Sequence, residues 1–82
     1  MIKAKIEVTL KKGVSDPQGL TVQHALKTLQ YSGIHEVRVG KYVEVFLEAQ
    51  NPEEAKPKIQ SICEKLLVNP IIEQYRYELE LC

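Results

Sequence analysis

The 82-residue sequence has no tryptophan and only two cysteines, two histidines, one phenylalanine and one methionine. The cysteines, Cys63 and Cys82, are far apart and lack CxxC or Cys/His metal-ligand spacing, so neither a disulfide framework nor a zinc site is supported. Eleven basic and eleven acidic residues leave no net charge, and a long-range positive field for nucleic-acid phosphates is therefore missing. No apolar run approaches the roughly 20 residues that a membrane span needs. We expect a cytoplasmic protein.

The residues that are present have the composition of an ordinary globular domain, with 44% hydrophobic and 27% charged side chains. We expect one domain, residues 1–82. A chain of this length buries only about 60–65% of the surface that its unfolded form exposes. Self-association or a partner would therefore add stability.

Two regular elements are predicted in the first part of the chain. Apolar and polar residues alternate from Ile2 to Leu10, which is typical of a half-buried strand. After "KKGVSDPQG" breaks this pattern, Asp16 is suited to the N-cap of a helix and Pro17 to its first position. The helix ends near Gly33, and its apolar face holds Val22, Ala25, Leu26 and Leu29.

The stretch "HEVRVGKYVEVFLEA" has the composition of β-structure, but its register is ambiguous. Val37 and Val39 have the same parity as the valines that follow them. A two-residue turn at Gly40-Lys41 would therefore place aromatic and acidic residues on the valine face. A three-residue connection, or one long strand bent at a bulge around Gly40, keeps the aliphatic residues together. Both arrangements remain open.

A second helix is predicted with Asn51 as its N-cap and Pro52 at its first position. An interior proline costs about 3 kcal/mol outside the first turn, so Pro57 indicates a later start or a kink. The predicted buried stripe comprises Ala55, Ile59, Ile62, Cys63 and Leu66. The helix ends at Asn69-Pro70, and a last strand follows that places on one face Tyr75, Tyr77, Leu79 and Leu81.

This order of elements predicts an α+β, ferredoxin-like βαββαβ fold, an antiparallel sheet with two helices on one face. In the alternative arrangement the middle strands form one ribbon bent at Gly40. The other sheet face would be open, as a candidate interface or as a solvated face with weak cross-strand ion pairs. The residues expected on it are Lys3, Lys5, Glu7, Arg38, Tyr42, Glu44, Phe46 and Glu48.

Residues suited to catalysis are few. Neither His24 nor His35 has a Ser, Cys or carboxylate arranged as in a triad. The segment "GVSDPQG" has neither the dinucleotide-loop nor the P-loop order of glycines. We therefore expect no catalytic residue, metal site or bound cofactor in this chain. One further helix stripe faces away from the core and suggests a second contact surface: Leu20, His24, Lys27 and Tyr31.

Four blocks, in this order and spacing, carry a resemblance to a known family: "DPQG", "VQHALKTLQY", "VRVGKYVEV" and "CEKLLVNPIIEQYRYELE". From Lys3 to Glu80 the chain resembles the PurS family, the small subunit of phosphoribosylformylglycinamidine synthase. The one departure is Pro57, where a helix-favouring residue is expected.

The resemblance implies an enzyme of purine biosynthesis split into a large ATP-using synthetase, a glutaminase and this small chain. Such a complex converts formylglycinamide ribonucleotide, ATP and glutamine into formylglycinamidine ribonucleotide, glutamate, ADP and phosphate. By the same resemblance the small chain is not catalytic. It forms a homodimer or tetramer and bridges the other two subunits so that ammonia passes between them. ATP and magnesium are expected in the large synthetase.

Some residues that match the family blocks are candidate contacts with a partner or a second copy: Asp16, Pro17, Gln18, Gly19, Arg38, Gly40, Lys41 and Tyr75. Asn69, Pro70 and Glu73 also match the blocks, and they either contact a partner or shape turns. The open sheet face adds Tyr42 and Phe46. An alternative function is a regulatory domain that senses a small molecule at a dimer interface. A thermal-shift panel separates the two, because a ligand at 100 times its Kd adds about 2.7 kcal/mol.

Overall fold

The computed structural model describes all residues from Met1 to Cys82. Its elements are β1 (Ile2–Leu10), α1 (Pro17–Thr28), β2 (Lys41–Leu47), α2 (Pro52–Ile62), a π-helical turn (Cys63–Leu67) and β3 (Glu73–Leu81). The strands form one antiparallel sheet in the order β2-β1-β3. The predicted α+β class, the first strand and the start of each helix are confirmed.

The sheet has three strands, and the fourth predicted strand does not form. Lys41 begins β2 and pairs with Val8, which is the last β1–β2 pair. The residues before Lys41 pair with no other strand. The middle region is therefore neither a hairpin nor one long paired ribbon. At the departure point Gly40 passes so close to β1 that a Cβ on it would lie 2.5 Å from the Val8 carbonyl oxygen.

The core lies between β1 and α2. The inward face of β1 is buried, and it packs with residues from the second helical region to form one cluster: Ala4, Ile6, Val8, Ile59, Cys63 and Val68. The Asn51 side chain accepts a hydrogen bond from the Glu54 N–H at 2.9 Å, which confirms the predicted N-cap. The helix begins at Pro52 and continues through the exposed Pro57, so the later start that Pro57 had indicated is wrong. Neither α-helix has the length and apolar character needed to cross a membrane.

The π-helical turn changes which residues of the predicted stripe are buried. Leu66 was expected to face the core, but its side chain is 79% exposed, whereas Leu67 packs against the core cluster. A π-helical turn inserts extra backbone into the helix, which rotates the following side chains by about one position. Ala55, Ile59 and Cys63, which precede this shift, are buried as predicted.

Helix α1 is not packed on the sheet, contrary to the prediction of two helices on one face. Gly19 is its only buried residue, and Leu29 of the predicted apolar face is 66% exposed. Residues 34–39, here called the return segment, run back alongside α1 to reach β2. Residues 17–39 therefore form a projecting arm, and the radius of gyration is 16.3 Å, against about 12 Å for a compact chain of this length.

Candidate interaction surfaces

A buried carboxylate fastens the base of the arm. Asp16 is only 7% exposed. Its Oδ1 accepts a hydrogen bond from the Gly19 N–H at 2.9 Å, and its Oδ2 accepts one from the Val39 N–H at 2.8 Å. The side chain that caps α1 thus also holds the end of the return segment. We call Asp16, Gly19, Arg38 and Val39 the clasp.

The electrostatics of the clasp favour the ionised carboxylate. The hydrogen bond from Val39 and then that from Gly19 hold the pKa of Asp16 below its ordinary value, while burial acts in the opposite direction. The Arg38 Nε, 3.7 Å from Oδ2, adds a smaller favourable charge. The Arg38 guanidinium also donates to the carbonyl oxygens of Leu10, Lys11 and Val14, each at 3.4 Å. One arginine therefore ties the arm to the end of β1 and the loop after it.

The clasp predicts a specific pH dependence. Because the folded-state pKa of Asp16 is depressed, its stabilisation is present above the unfolded value of about 3.9 and is lost as the pH falls through the folded-state pKa. We expect Asp16→Asn to have a lower Tm than wild type at pH 7. The difference in Tm between the two proteins should become smaller below about pH 4. Thermal unfolding followed by circular dichroism from pH 7 to pH 3 measures this. A difference in Tm that stays constant from pH 7 to pH 3 would contradict the ionised state assigned to the Asp16 carboxylate.

Two glycines of the family blocks mark close backbone approaches. A Cβ on Gly19 would lie 2.1 Å from the Val37 carbonyl oxygen, and one on Gly40 would meet Val8 and Thr9 within 3 Å. Neither glycine needs a positive φ, so lack of a side chain is what each position requires. Gly19 was named above as a candidate contact with a partner, and the close contact that the structure shows is internal to the chain.

The second surface is the sheet face opposite α2, which carries interleaved charges. Lys3 Nζ lies 3.1 Å from a Glu44 oxygen, and Lys5 Nζ lies 3.1 Å from a Glu80 oxygen. The hydrogen bond to Glu44 raises the pKa of Lys3, and that to Glu80 raises the pKa of Lys5. Lys3 also lies 5.7 Å from the centre of the Phe46 ring. The face is therefore an open, internally paired polar surface around exposed aromatic rings.

Tyr42 adds a hydrogen bond to this face. Its hydroxyl donates to Glu44 at 2.9 Å, and this bond, followed by that from Lys3, lowers the pKa of Glu44. Partial desolvation is the main cause that raises the pKa of Tyr42 itself. A phenol is already protonated near neutral pH at its ordinary pKa of about 10, so Tyr42 remains a donor to Glu44.

The structure distributes the candidate contact residues over three places. Asp16, Gly19 and Arg38 meet at the clasp, beside Gly40 and Lys41, with Pro17 and Gln18 exposed at the start of α1. Tyr42 and Phe46 lie on the open face. Arg38 was predicted to lie on that face too, but it is at the clasp instead. Tyr75 lies on the other face beside Tyr77, with ring centres 6.3 Å apart. Neither the Val39 amide nor the carbonyls bound by Arg38 were predicted, because backbone groups carry no signal in a sequence pattern.

The remaining titratable groups form no arrangement for chemistry. His24 and His35 are exposed, and Cys63 is buried, which raises the pKa of its thiol. No group of three or more His, Cys, Asp or Glu side chains is placed to hold a metal ion.

Comparison with known proteins identifies the family. The family model of PurS, described as phosphoribosylformylglycinamidine (FGAM) synthase, matches residues 3–81. The chain belongs to the PurS family. It is 46% identical over 80 residues to the PurS subunit of Bacillus subtilis, covering 98% of this chain and 94% of that protein. The PurS subunit of Methanocaldococcus jannaschii is 39% identical over 80 residues, covering 98% of this chain and 96% of that protein.

Solved PurS structures share the fold. The B. subtilis PurS structure matches with a TM-score of 0.88 at 46% identity, covering 99% of this chain and all of that one. A chain of the structure described as PurLQS from Thermotoga maritima matches with a TM-score of 0.86 at 33% identity, covering 96% of each chain. The resemblance is thus confirmed, and with it the role of a subunit of phosphoribosylformylglycinamidine synthase in purine biosynthesis.

Proposed function

We propose that this PurS chain is a non-catalytic assembly subunit that bridges the glutaminase and the ATP-dependent synthetase of its enzyme. The observation that carries the proposal is the projecting arm. An apolar stripe exposed on a helix is unfavourable in water, and the free energy falls when another protein covers the stripe. The charged open face offers a second, separate surface, as a bridge between two proteins requires.

The contribution to catalysis is positional. Glutamine hydrolysis releases ammonia in one subunit, and the synthetase, using ATP, consumes it in another. Holding the two sites in register raises the local ammonia concentration at the acceptor site. Following the resemblance to the family, we assign ATP and magnesium to the synthetase.

Self-association is part of the proposal. Both outer strands of the sheet have a free edge, which is a template for pairing with another chain. We assign the chain a homo-oligomeric state, dimer or tetramer, and a cytoplasmic location. The small-molecule sensor remains the competing proposal.

Analytical ultracentrifugation of the three proteins tests the bridge. We expect the glutaminase and the synthetase to sediment together only when this chain is present. A variant with Tyr42→Ala and Phe46→Ala probes the open face, and Pro57→Ala on the exposed side of α2 is the matched control. Full association of glutaminase with synthetase in the absence of this chain would show that it is not the bridge.

A further inference from the structure

The arm is joined to the sheet by two connections and is not part of the core. Residues 11–16 lead out from β1, and the return segment leads back through Gly40 into β2. Neither the core cluster nor the apolar residues packed against it include a residue of the arm. Close packing of buried side chains is what ordinarily fixes one element against another. The orientation of the arm relative to the sheet therefore depends on the contacts at its base.

The outgoing connection turns at an unpacked glycine. The Val14 N–H donates to the Lys11 carbonyl oxygen at 3.1 Å, which closes a turn with Gly13 at its third position. Gly13 has a φ of 89°, as the third residue of a type II turn requires. A Cβ built on Gly13 would meet nothing within 4 Å. Because nothing packs around this glycine, the turn by itself does not fix the direction in which the arm leaves the sheet.

One side chain spans both connections. Arg38 belongs to the return segment, and its guanidinium reaches across to the outgoing connection. Its Nη2 donates to the carbonyl oxygens of Leu10 and Lys11, and its Nη1 donates to that of Val14, each at 3.4 Å. Its Nε lies 3.7 Å from the Asp16 carboxylate, which itself holds the end of the return segment. Arg38 therefore links the end of β1, the turn after it and the base of the arm.

These contacts use the shape of the arginine side chain and not only its charge. Nη1 also donates to a Glu36 oxygen at 3.4 Å, so each terminal nitrogen of Arg38 has two acceptors. A guanidinium holds its N–H donors in one rigid plane, whereas the lysine ammonium is a point charge on a flexible stem. A lysine at this position keeps the charge but does not reach this set of acceptors at once.

We propose that Arg38 is a positioning residue that fixes the angle between the arm and the sheet. That angle sets the distance between the apolar stripe of α1 and the open face, the two surfaces on which the proposed bridge depends. Two active sites stay in register only if this distance is constant, and a misplacement of about 1 Å can cost about a hundredfold in rate. The inference rests on the bridging function and names the residue that keeps the bridge rigid.

Distances between two spin labels measure the position of the arm directly. Cys82 is exposed at the end of the sheet, and Ser32→Cys adds a second exposed thiol just beyond α1. Cys63 is buried and stays unlabelled. Mixing the doubly labelled chain with an excess of unlabelled chain restricts the measurement to pairs of labels within one copy. The width of the distance distribution then reports how firmly the arm is held.

Arg38→Ala and Arg38→Lys are compared in this labelled chain. Both should widen the distance distribution about twofold or more, because neither restores the planar set of donors. Lys56→Ala is the matched control, since Lys56 pairs only with Glu53 of its own helix, and its distribution should equal that of the wild type. A distribution in Arg38→Ala as narrow as in the wild type, or full rescue by Arg38→Lys, would overturn the proposal.

The escape of ammonia supplies the functional measurement. The three proteins are assayed with glutamine at a saturating amount of this chain, and the glutamate and the final product are both quantified. The wild type should form about one glutamate per product and Arg38→Ala about two or more, because ammonia is no longer released beside the acceptor site. Co-sedimentation of the three proteins, and the rate with ammonium chloride in place of glutamine, should stay unchanged.

Two results of this assay would overturn the proposal. One is a widened distance distribution in Arg38→Ala with the glutamate-to-product ratio of the wild type. The other is loss of co-sedimentation in Arg38→Ala, which would make Arg38 a binding residue. Failure of the bridge itself is read separately, from sedimentation of the glutaminase and the synthetase with and without the wild-type chain.

Discussion

Gly19→Ala should detach the arm, although glycine to alanine in a helix ordinarily stabilises by up to about 1 kcal/mol. The added Cβ would lie 2.1 Å from the Val37 carbonyl oxygen and 3.0 Å from the Asp16 Cγ. Helix α1 and the return segment must then separate, which breaks the hydrogen bond from the Val39 N–H to Asp16. We expect at least about tenfold faster exchange of the Val39 amide, equivalent to 1.4 kcal/mol or more.

Gln18→Ala is the matched control for this substitution. Gln18 is the preceding residue of the same helix, is exposed and makes no side-chain hydrogen bond. The Gln18→Ala substitution should leave both the Tm and the exchange rate of the Val39 amide unchanged. If Gly19→Ala raised the Tm and kept the Val39 amide protected, the close approach of α1 to the return segment would be wrong.

Ile59→Ala should cause the largest loss of folding stability, about 2–5 kcal/mol. Ile59 is fully buried and joins α2 to the inward face of β1. A domain of this size has only about 4–12 kcal/mol in total, so this loss is a large share of its stability. Urea denaturation at a fixed protein concentration measures the loss, since self-association also contributes to stability.

Two neighbouring leucines provide the control and also test the π-helical turn. Leu66→Ala should change the free energy of unfolding by no more than about 0.5 kcal/mol, because Leu66 is exposed. Leu67→Ala should cost clearly more, because Leu67 packs against the core cluster. The regular helical spacing of the sequence predicts the reverse order. A greater loss for Leu66→Ala would mean that the turn is α-helical.

Local chemistry was sufficient to predict most of the elements. The alternation in β1, the caps at Asp16 and Asn51, and the stripe through Ile59 each depend on residues within one or two turns of the chain. The family blocks added the identity. These features are encoded locally, so a single sequence carries them.

The placement of α1 could not be predicted from the same information. Its stripe of Val22, Leu26 and Leu29 predicts an apolar face, but periodicity does not show what that face packs against. The valines of the return segment likewise predicted a strand without indicating its partner. In both cases the pattern within one element indicates an apolar face or a strand, whereas the contact it makes depends on residues far away in sequence. The burial shift at Leu66 has a different cause, because a π-helical turn has no propensity signal.

Steady-state synthesis with two nitrogen sources tests the central claim, that this PurS chain couples two active sites without catalysing a step. The synthetase and glutaminase are assayed with glutamine and, separately, with ammonium chloride, each with and without this chain. We predict that adding the chain raises the glutamine-dependent rate about tenfold or more and leaves the ammonia-dependent rate nearly unchanged. An equal glutamine-dependent rate without the chain would contradict the account.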